Sequence, residues 1–153
     1  MAKTGKHQAF KCCEDSLRLL VPTKNYVLIK RFSSKEERRR LTAACLLKAD
    51  FPVPYVGIEN HVNYVYHAQR DLTEDEVYGI AAVFNSPLID RYFRTISGNT
   101  QVNATEIRAM NFPELKLLSR IGKKVRRNTE ESEVVVLKEL GVTDSPRSCL
   151  AGT

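Results

Sequence analysis

Long hydrophobic runs are absent from this sequence, and so is an export signal. No apolar stretch approaches the roughly 20 residues that a membrane-spanning helix requires. The basic start, "MAKTGKHQAFK", does not lead into an apolar signal core. We therefore expect a cytoplasmic protein with no membrane partner.

The cysteines are few and are not spaced as metal ligands. Cys12 and Cys13 are adjacent, while Cys45 and Cys149 stand alone, so no pair has the spacing of a zinc site. The three histidines lie in no ligand pattern either. Cysteines arranged in this way favour a reducing compartment. We expect no metal centre.

Motifs for catalysis and cofactor binding are also missing. No glycine-rich loop follows a predicted strand, which excludes a dinucleotide fingerprint and a Walker A loop. In "FPVPYVG", Val53 separates Pro52 from Pro54, and Phe51 provides no acceptor. The segment therefore lacks the Asn-Pro-Pro-aromatic arrangement with which amino-methyltransferases hold a base. The carboxylates are typical of solvated charges or of first helical turns. The sequence predicts no catalytic residue.

Strand signals occupy the first half of the chain, after a poorly periodic start. "NYVLIKRFS" and "ENHVNYVYHAQ" are rich in strand-forming residues. The segment from Leu41 to Leu47 is compatible with helix or strand, and we favour a second strand in a hairpin with the first. Pro52 and Pro54 exclude a helix interior and predict an extended connector.

Helix signals occupy the second half. Capping and stop signals stand at Thr73 with Glu76, Ser86 with Pro87, Thr105, and Thr129 with Gly141. Leu88, Ile89, Tyr92, Phe93 and Ile96 give one of these helices an apolar face. Strands followed by helices predict an α+β fold with a strand-rich N-terminal half and a helical C-terminal half.

Positive charge is in excess and falls in two clusters. The net charge of +6 and pI near 9.2 suit a polyanionic partner. "IKRFSSKEERRR" and "RIGKKVRR" can both be solvated faces with internal ion pairs, and Glu36 and Glu37 favour this for the first. Lys30 and Arg31, beside two serines at a strand end, also suit phosphate contacts. Charge alone would equally admit RNA.

The stretch "SGNTQVNAT" concentrates uncharged hydrogen-bonding side chains in one connection. These residues can form a turn, since their side chains bond nearby backbone groups. They can also contact phosphates or base edges. The residues themselves leave both interpretations open.

Three segments of the sequence resemble a known family: "YVLIKRFSSKEERRR", "GIENHVNYVY" and "EDEVYGIAAVFNSPLIDRYFRTISGNTQVNATEIRAMNFP". Together they are similar to the C-terminal target-recognition region of TaqI-like, adenine-specific DNA methyltransferases of bacterial restriction–modification systems. The strongest part matches an "LNS" helix, an "SGxTQVN" loop and a segment ending in "PFP". Asn111 stands where the family has proline. The resemblance covers roughly Val21 to Val125.

The resemblance implies double-stranded DNA as a partner and a separate methyltransferase catalytic domain or subunit as another. It places the S-adenosylmethionine site on that catalytic part, so we expect no cofactor on this chain. The chain would be a fragment, a truncated product or a specificity polypeptide. We divide it into an N-terminal segment (1–24), a DNA target-recognition domain (25–127) and a C-terminal helix with a frayed tail (128–153). The alternative is a protein-interaction module whose helical half docks onto a methyltransferase or nuclease subunit.

In this family the loop "SGNTQVNAT" is a shared feature, whereas the DNA targets differ between members. We therefore expect its side chains mainly to stabilise the loop itself and to contact phosphates. We expect base reading in the variable region before it, where arginine and asparagine have the required bidentate capacity. The predicted DNA-binding residues are Lys30, Arg31, Ser33, Ser34, Lys35, Arg38, Arg39, Arg40, Asn60, His61, Asn63, Tyr64, Asn99, Thr100, Gln101 and Asn103.

Overall fold

Strands precede helices in the computed structural model, which describes residues 13–142. The predicted α+β class is confirmed. The strands are β1 (Leu20–Pro22), β2 (Tyr26–Lys30), β3 (Ala43–Leu46), β4 (Tyr55–Gly57) and β5 (Val62–Val65). The helices are α1 (Glu14–Leu17), α2 (Glu74–Phe84), α3 (Pro87–Ile96), α4 (Ala104–Ala109), α5 (Leu115–Val125) and α6 (Ser132–Glu139), with a 3-10 turn at Lys48–Asp50.

The main sheet has the antiparallel order β3-β2-β5, so the predicted hairpin strand at Ala43–Leu46 is confirmed. Val27 lies opposite Val65 in the register, and these side chains face the helices, where Val27 is fully buried. Leu28 lies opposite Tyr64 on the other face, and Tyr64 is 40% exposed. The sheet therefore has one core face and one outer face.

A second, two-stranded sheet pairs β1 with β4. Val21 lies opposite Val56, and the N–H of Thr23 donates to the carbonyl of Pro54 at 2.9 Å. Sequence analysis missed β1, and it assigned residues 55–57 no strand of their own. These strands are three residues long and are flanked or ended by proline, so neither carries a periodic signal.

The helices pack through two close approaches between α2 and α5. The capping box at the start of α2 is confirmed: Glu76 accepts from the N–H of Thr73 at 2.8 Å, and Thr73 Oγ1 accepts in return at 3.2 Å. A Cβ atom added at Gly79 would lie 1.8 Å from the carbonyl oxygen of Leu118. The backbones of α2 and α5 are therefore in contact at Gly79 and, in the same way, at Gly122.

Three local expectations were wrong. The cap of α4 is Asn103 rather than Thr105, and the N–H of Asn103 donates to Glu106 at 3.1 Å. α6 begins after Glu131 rather than at Thr129. Ile96, expected on the apolar face of α3, is 41% exposed because α3 ends there and the chain turns away. The stop at Gly141 is confirmed by its φ of +71°.

The frayed tail was expected over the last dozen residues, and all of these except Val142 lie outside the described residues, as do residues 1–12. No helix within residues 13–142 combines the length and apolar content needed to span a membrane. In the same range, His, Cys, Asp and Glu side chains form no group of three that could hold a metal ion.

We predict that Gly122→Ala destabilises the protein by about 1–3 kcal/mol, the usual cost of overpacking. A Cβ atom there would lie 1.8 Å from the carbonyl oxygen of Asp75, so the helices would have to separate. The loss should appear although alanine is intrinsically the better helix former. Urea unfolding followed by circular dichroism measures the change.

Gly98→Ala is the matched control, because a Cβ atom at Gly98 has no neighbour within 4 Å and its φ is not in the left-handed region. It should change the unfolding free energy by less than about 0.5 kcal/mol. Equal unfolding midpoints for both variants would contradict the close approach of α2 and α5.

Candidate nucleic-acid interface

Three segments that are distant in sequence meet at the end of β2. The N–H of Arg31 donates to the carbonyl of His61 at 3.0 Å, and the carbonyl of Arg31 accepts from the N–H of Val102 at 2.7 Å. The N–H of Ser33 donates to the carbonyl of Thr100 at 3.3 Å. Phe32 and Gln101 form an isolated bridge between these bonds. We call this meeting of residues 31–33, 60–63 and 99–102 the junction.

Asn63 is partly buried and is bonded within the junction. Its side-chain amide donates to the carbonyl of Val102 at 2.7 Å, and Val102 is fully buried. This bond gives Asn63 a structural role, and its base-reading role stays a prediction. This bond joins β5 to residues 97–105, which we call the polar loop.

Arg40 and Ser33 are also internal, although both were predicted to contact DNA. Arg40 is 1% exposed, its Nε donates to Ser33 Oγ at 3.1 Å, and its guanidinium also bonds the carbonyl of Asn99. The same guanidinium lies 5.6 Å from the ring centroid of Phe93. Sequence could not separate Arg40 from Arg39, because its partners lie up to 59 residues away.

Asp90 fixes the backbone beside Arg40. One carboxylate oxygen accepts from the N–H groups of Arg40 at 2.5 Å and Leu41 at 3.0 Å, and the other accepts from Arg94 Nε at 2.8 Å. Burial acts to raise the pKa of the Asp90 carboxyl, but the bonds from Arg94 and the backbone outweigh it and hold that pKa below its usual value. Asp90 is therefore charged at neutral pH.

The polar loop is bonded to the neighbouring segments mainly through its main chain. The carbonyl of Asn99 bonds Arg40, that of Thr100 accepts from Ser33, and Val102 bonds Arg31. The amide of Asn99 donates to Glu106 at 3.2 Å, and Asn103 caps α4. Thr100 is exposed and Gln101 partly so, which leaves their side chains at the surface.

Internal ion pairs occupy much of the positive charge, as the plainer interpretation of the clusters predicted. Lys30 Nζ lies 2.8 Å from Glu37, and this bond lowers the pKa of the Glu37 carboxyl. In the second cluster, Arg120 and Lys124 both pair with Glu139 at 2.6 Å. Arg126 pairs with Glu74 and Asp75. Three of the five basic residues of the second cluster are therefore paired with carboxylates of α2 and α6.

A basic and aromatic surface remains over the junction. Phe32 is 40% exposed, and its ring centroid lies 5.0 Å from that of His61 in an edge-on arrangement. The Arg31 guanidinium lies 5.8 Å from the Phe32 ring and donates to the carbonyl of Asn60 at 3.2 Å. His61 also pairs with Glu59. Further along the outer face lies Tyr64, 5.9 Å from Tyr66.

The structure thus divides the predicted site into three groups. At or beside the junction surface lie Lys30, Arg31, Ser34, Lys35, Asn60, His61, Tyr64, Asn99, Thr100 and Gln101. Ser33 and Arg40 are buried, whereas Asn63 and the cap Asn103 are partly buried and bonded within the fold. Arg38 and Arg39 line a groove beside the start of α3. Phe32 was not among the predicted DNA-binding residues, although its place in a basic strand end was a usable signal.

The chain is similar to one part of type II methyltransferases. It is 43% identical over 111 residues to the type II methyltransferase M.BsuBI of Bacillus subtilis, covering 72% of this chain and 22% of that protein. It is 37% identical over 125 residues to the type II methyltransferase M.PstI of Providencia stuartii, covering 82% and 25%. The chain therefore spans about a quarter of the length of the curated relatives it matches. No protein-family model and no solved structure matches it.

We predict that Asp90→Asn lowers the unfolding free energy at pH 7 by roughly 1–3 kcal/mol, the cost of leaving buried hydrogen-bonding groups poorly paired. Because the folded-state pKa of Asp90 is depressed, its carboxylate contributes fully above about pH 4, the usual aspartate value. That contribution is lost as the pH falls through the folded-state pKa.

Urea unfolding of wild type and Asp90→Asn between neutral pH and acid measures this difference. The gap between the two proteins should shrink as the pH drops below about 4. Glu130→Gln, a substitution at an exposed carboxylate, serves as control and should track wild type at every pH. A gap that stays constant with pH would contradict the charged state of Asp90.

Proposed function

We propose that this chain is the DNA target-recognition part of an adenine-specific type II methyltransferase of a restriction–modification system. The junction is the observation that carries the proposal. It gathers Arg31, Phe32 and His61 at one surface, and the main-chain bonds beneath it hold their positions. Similarity to part of two type II methyltransferases supports the same assignment.

The surface chemistry suits duplex DNA. Lys35 can neutralise a phosphate, and so can Lys30, because its exposed pair with Glu37 exchanges readily. Such contacts supply affinity that does not depend on sequence. Asn60 and Arg31 have donors suited to adenine and guanine edges in the major groove, and Phe32 can contact a thymine methyl group. Asn60 and His61 lie next to each other in the turn before β5, where the carbonyl of His61 accepts from the N–H of Arg31. We assign base reading to Asn60 and His61, and phosphate contact to Lys30 and Lys35.

In this proposal the chain works in the cytoplasm beside a catalytic domain that it does not contain. That domain would bind S-adenosylmethionine, rotate an adenine out of the stack and methylate its amino group. The predicted recognition domain, residues 25–127, would present the correct site to it. The alternative docking role for the helical half finds less support, because the apolar faces of α2 and α5 are buried against each other.

We predict salt-sensitive binding of duplex DNA and a sequence preference that depends on Asn60 and His61. The full chain is titrated with fluorescent duplexes at about 50 and 200 mM salt, with single-stranded RNA alongside. Duplexes bound from a random pool are then sequenced. The double substitution Asn60→Ala and His61→Ala should broaden the selected sequence, with a loss of about 1–3 kcal/mol per lost base contact.

Asn128→Ala is the matched control, because Asn128 is an exposed asparagine beyond the end of α5. It should leave affinity and selected sequence unchanged. Absence of duplex binding at the lower salt would overturn the proposal, and equal binding of single-stranded RNA would favour the RNA rival. Binding of S-adenosylmethionine to this chain alone, measured by titration calorimetry, would contradict the assignment of that cofactor to another domain.

A further inference from the structure

A groove of about 340 Å³ separates the loop after β2 from the start of α3, beside the junction. Its lining consists of Arg38, Arg39, Pro87, Asp90, Arg91, Arg94 and Glu133. Four guanidinium groups face two carboxylates there, so the lining carries an excess of two positive charges. Arg91 and Arg94 were in neither basic cluster of the sequence.

The two carboxylates do not neutralise the groove equally. Asp90 is already bonded by Arg94 and by two backbone N–H groups inside the fold. Glu133 lies 3.6 Å from Arg39, and both side chains of this pair are more than a third exposed. An exposed ion pair of this kind contributes little and exchanges readily. The positive charge of the groove is therefore available to an external anion.

The groove is held in shape before any ligand arrives. Beyond its bond to Asp90, Arg94 donates to the carbonyls of Lys35 at 2.8 Å and Glu37 at 2.7 Å, which fixes the loop that carries Arg38. Arg39 donates to the carbonyl of Asn85 at 2.5 Å. Such bracing lowers the ordering cost of binding.

Two guanidinium groups at the groove are not bonded to other described residues. Among the contacts between described residues, Arg38 and Arg91 make no side-chain hydrogen bond or ion pair. Both residues are exposed. Each guanidinium therefore offers its full fork of N–H donors, a geometry that matches two oxygens of one phosphate group.

We propose that this groove binds phosphate groups of the DNA backbone, with Arg38 and Arg91 as the direct contacts. The proposal rests on the proposed function and extends it. Arg94 ties the groove to Lys35, so the groove continues the basic surface of the junction along the loop after β2. Phosphate contacts position the protein without reading sequence. The groove therefore orients the duplex, while the junction reads it.

Arg38→Gln and Arg91→Gln test this in the full chain, by duplex titration over a range of salt concentrations. Each variant should bind every duplex more weakly and should reduce the slope of log K against log salt by about 1. The selected sequence should stay that of wild type. Glu133→Gln should strengthen binding, because it releases Arg39 and removes a negative charge, a gain that a purely structural role would not produce.

Arg127→Gln is the matched control, since it removes the same charge from an exposed arginine just beyond the C-terminal end of α5. It should leave the salt slope unchanged. Urea unfolding establishes that each variant is as stable as wild type. If wild type binds duplex DNA and both groove variants keep its affinity and slope, the groove proposal is overturned and the proposed function stands.

If wild type binds no duplex, the proposed function fails and the groove is tested with sodium pyrophosphate. Arginine Nε–H signals in nitrogen–proton NMR spectra are assigned by their loss in each variant. Shifts confined to the Arg38 and Arg91 signals would support a phosphate site that serves free phosphates rather than DNA. Unshifted signals for both arginines would overturn the groove proposal as well.

Discussion

The buried guanidinium of Arg40 is the constraint around which the functional half of the molecule is arranged. Removing a charge from water costs several kcal/mol unless partners replace the solvent. Ser33, the carbonyl of Asn99 and the ring of Phe93 are those partners here. They come from the end of β2, the polar loop and α3. Satisfying one cation therefore fixes the relative positions of three segments.

The distribution of charge follows from helix packing. Arg120, Lys124 and Arg126 pair with acidic residues of α2 and α6. Around β2 and α3, Lys30, Arg39 and Arg94 are paired with carboxylates. Arg38 and Arg91 make no ion pair among the described residues. Two unpaired arginines therefore remain at the groove beside α3.

Local signals were sufficient where the cause was local. The capping box of α2, the proline-led start of α3 and the hairpin of β2 and β3 could all be predicted from neighbouring residues. The roles of chemically identical side chains could not. Asn60 is exposed while Asn63 bonds the carbonyl of Val102, 39 residues away. In "RRR", Arg38 is exposed and Arg40 is buried, because only Arg40 reaches Asn99.

The ladder beneath the junction joins peptide groups rather than side chains. Arg31, Ser33, Thr100 and Val102 meet through N–H and carbonyl groups that every residue other than proline possesses. Substitution of an exposed neighbour such as Phe32, Asn60 or Thr100 leaves those bonds intact. The scaffold is therefore insensitive to the identity of the side chains it displays. Exposed residues of the junction can therefore change one at a time, without a matching change in the fold.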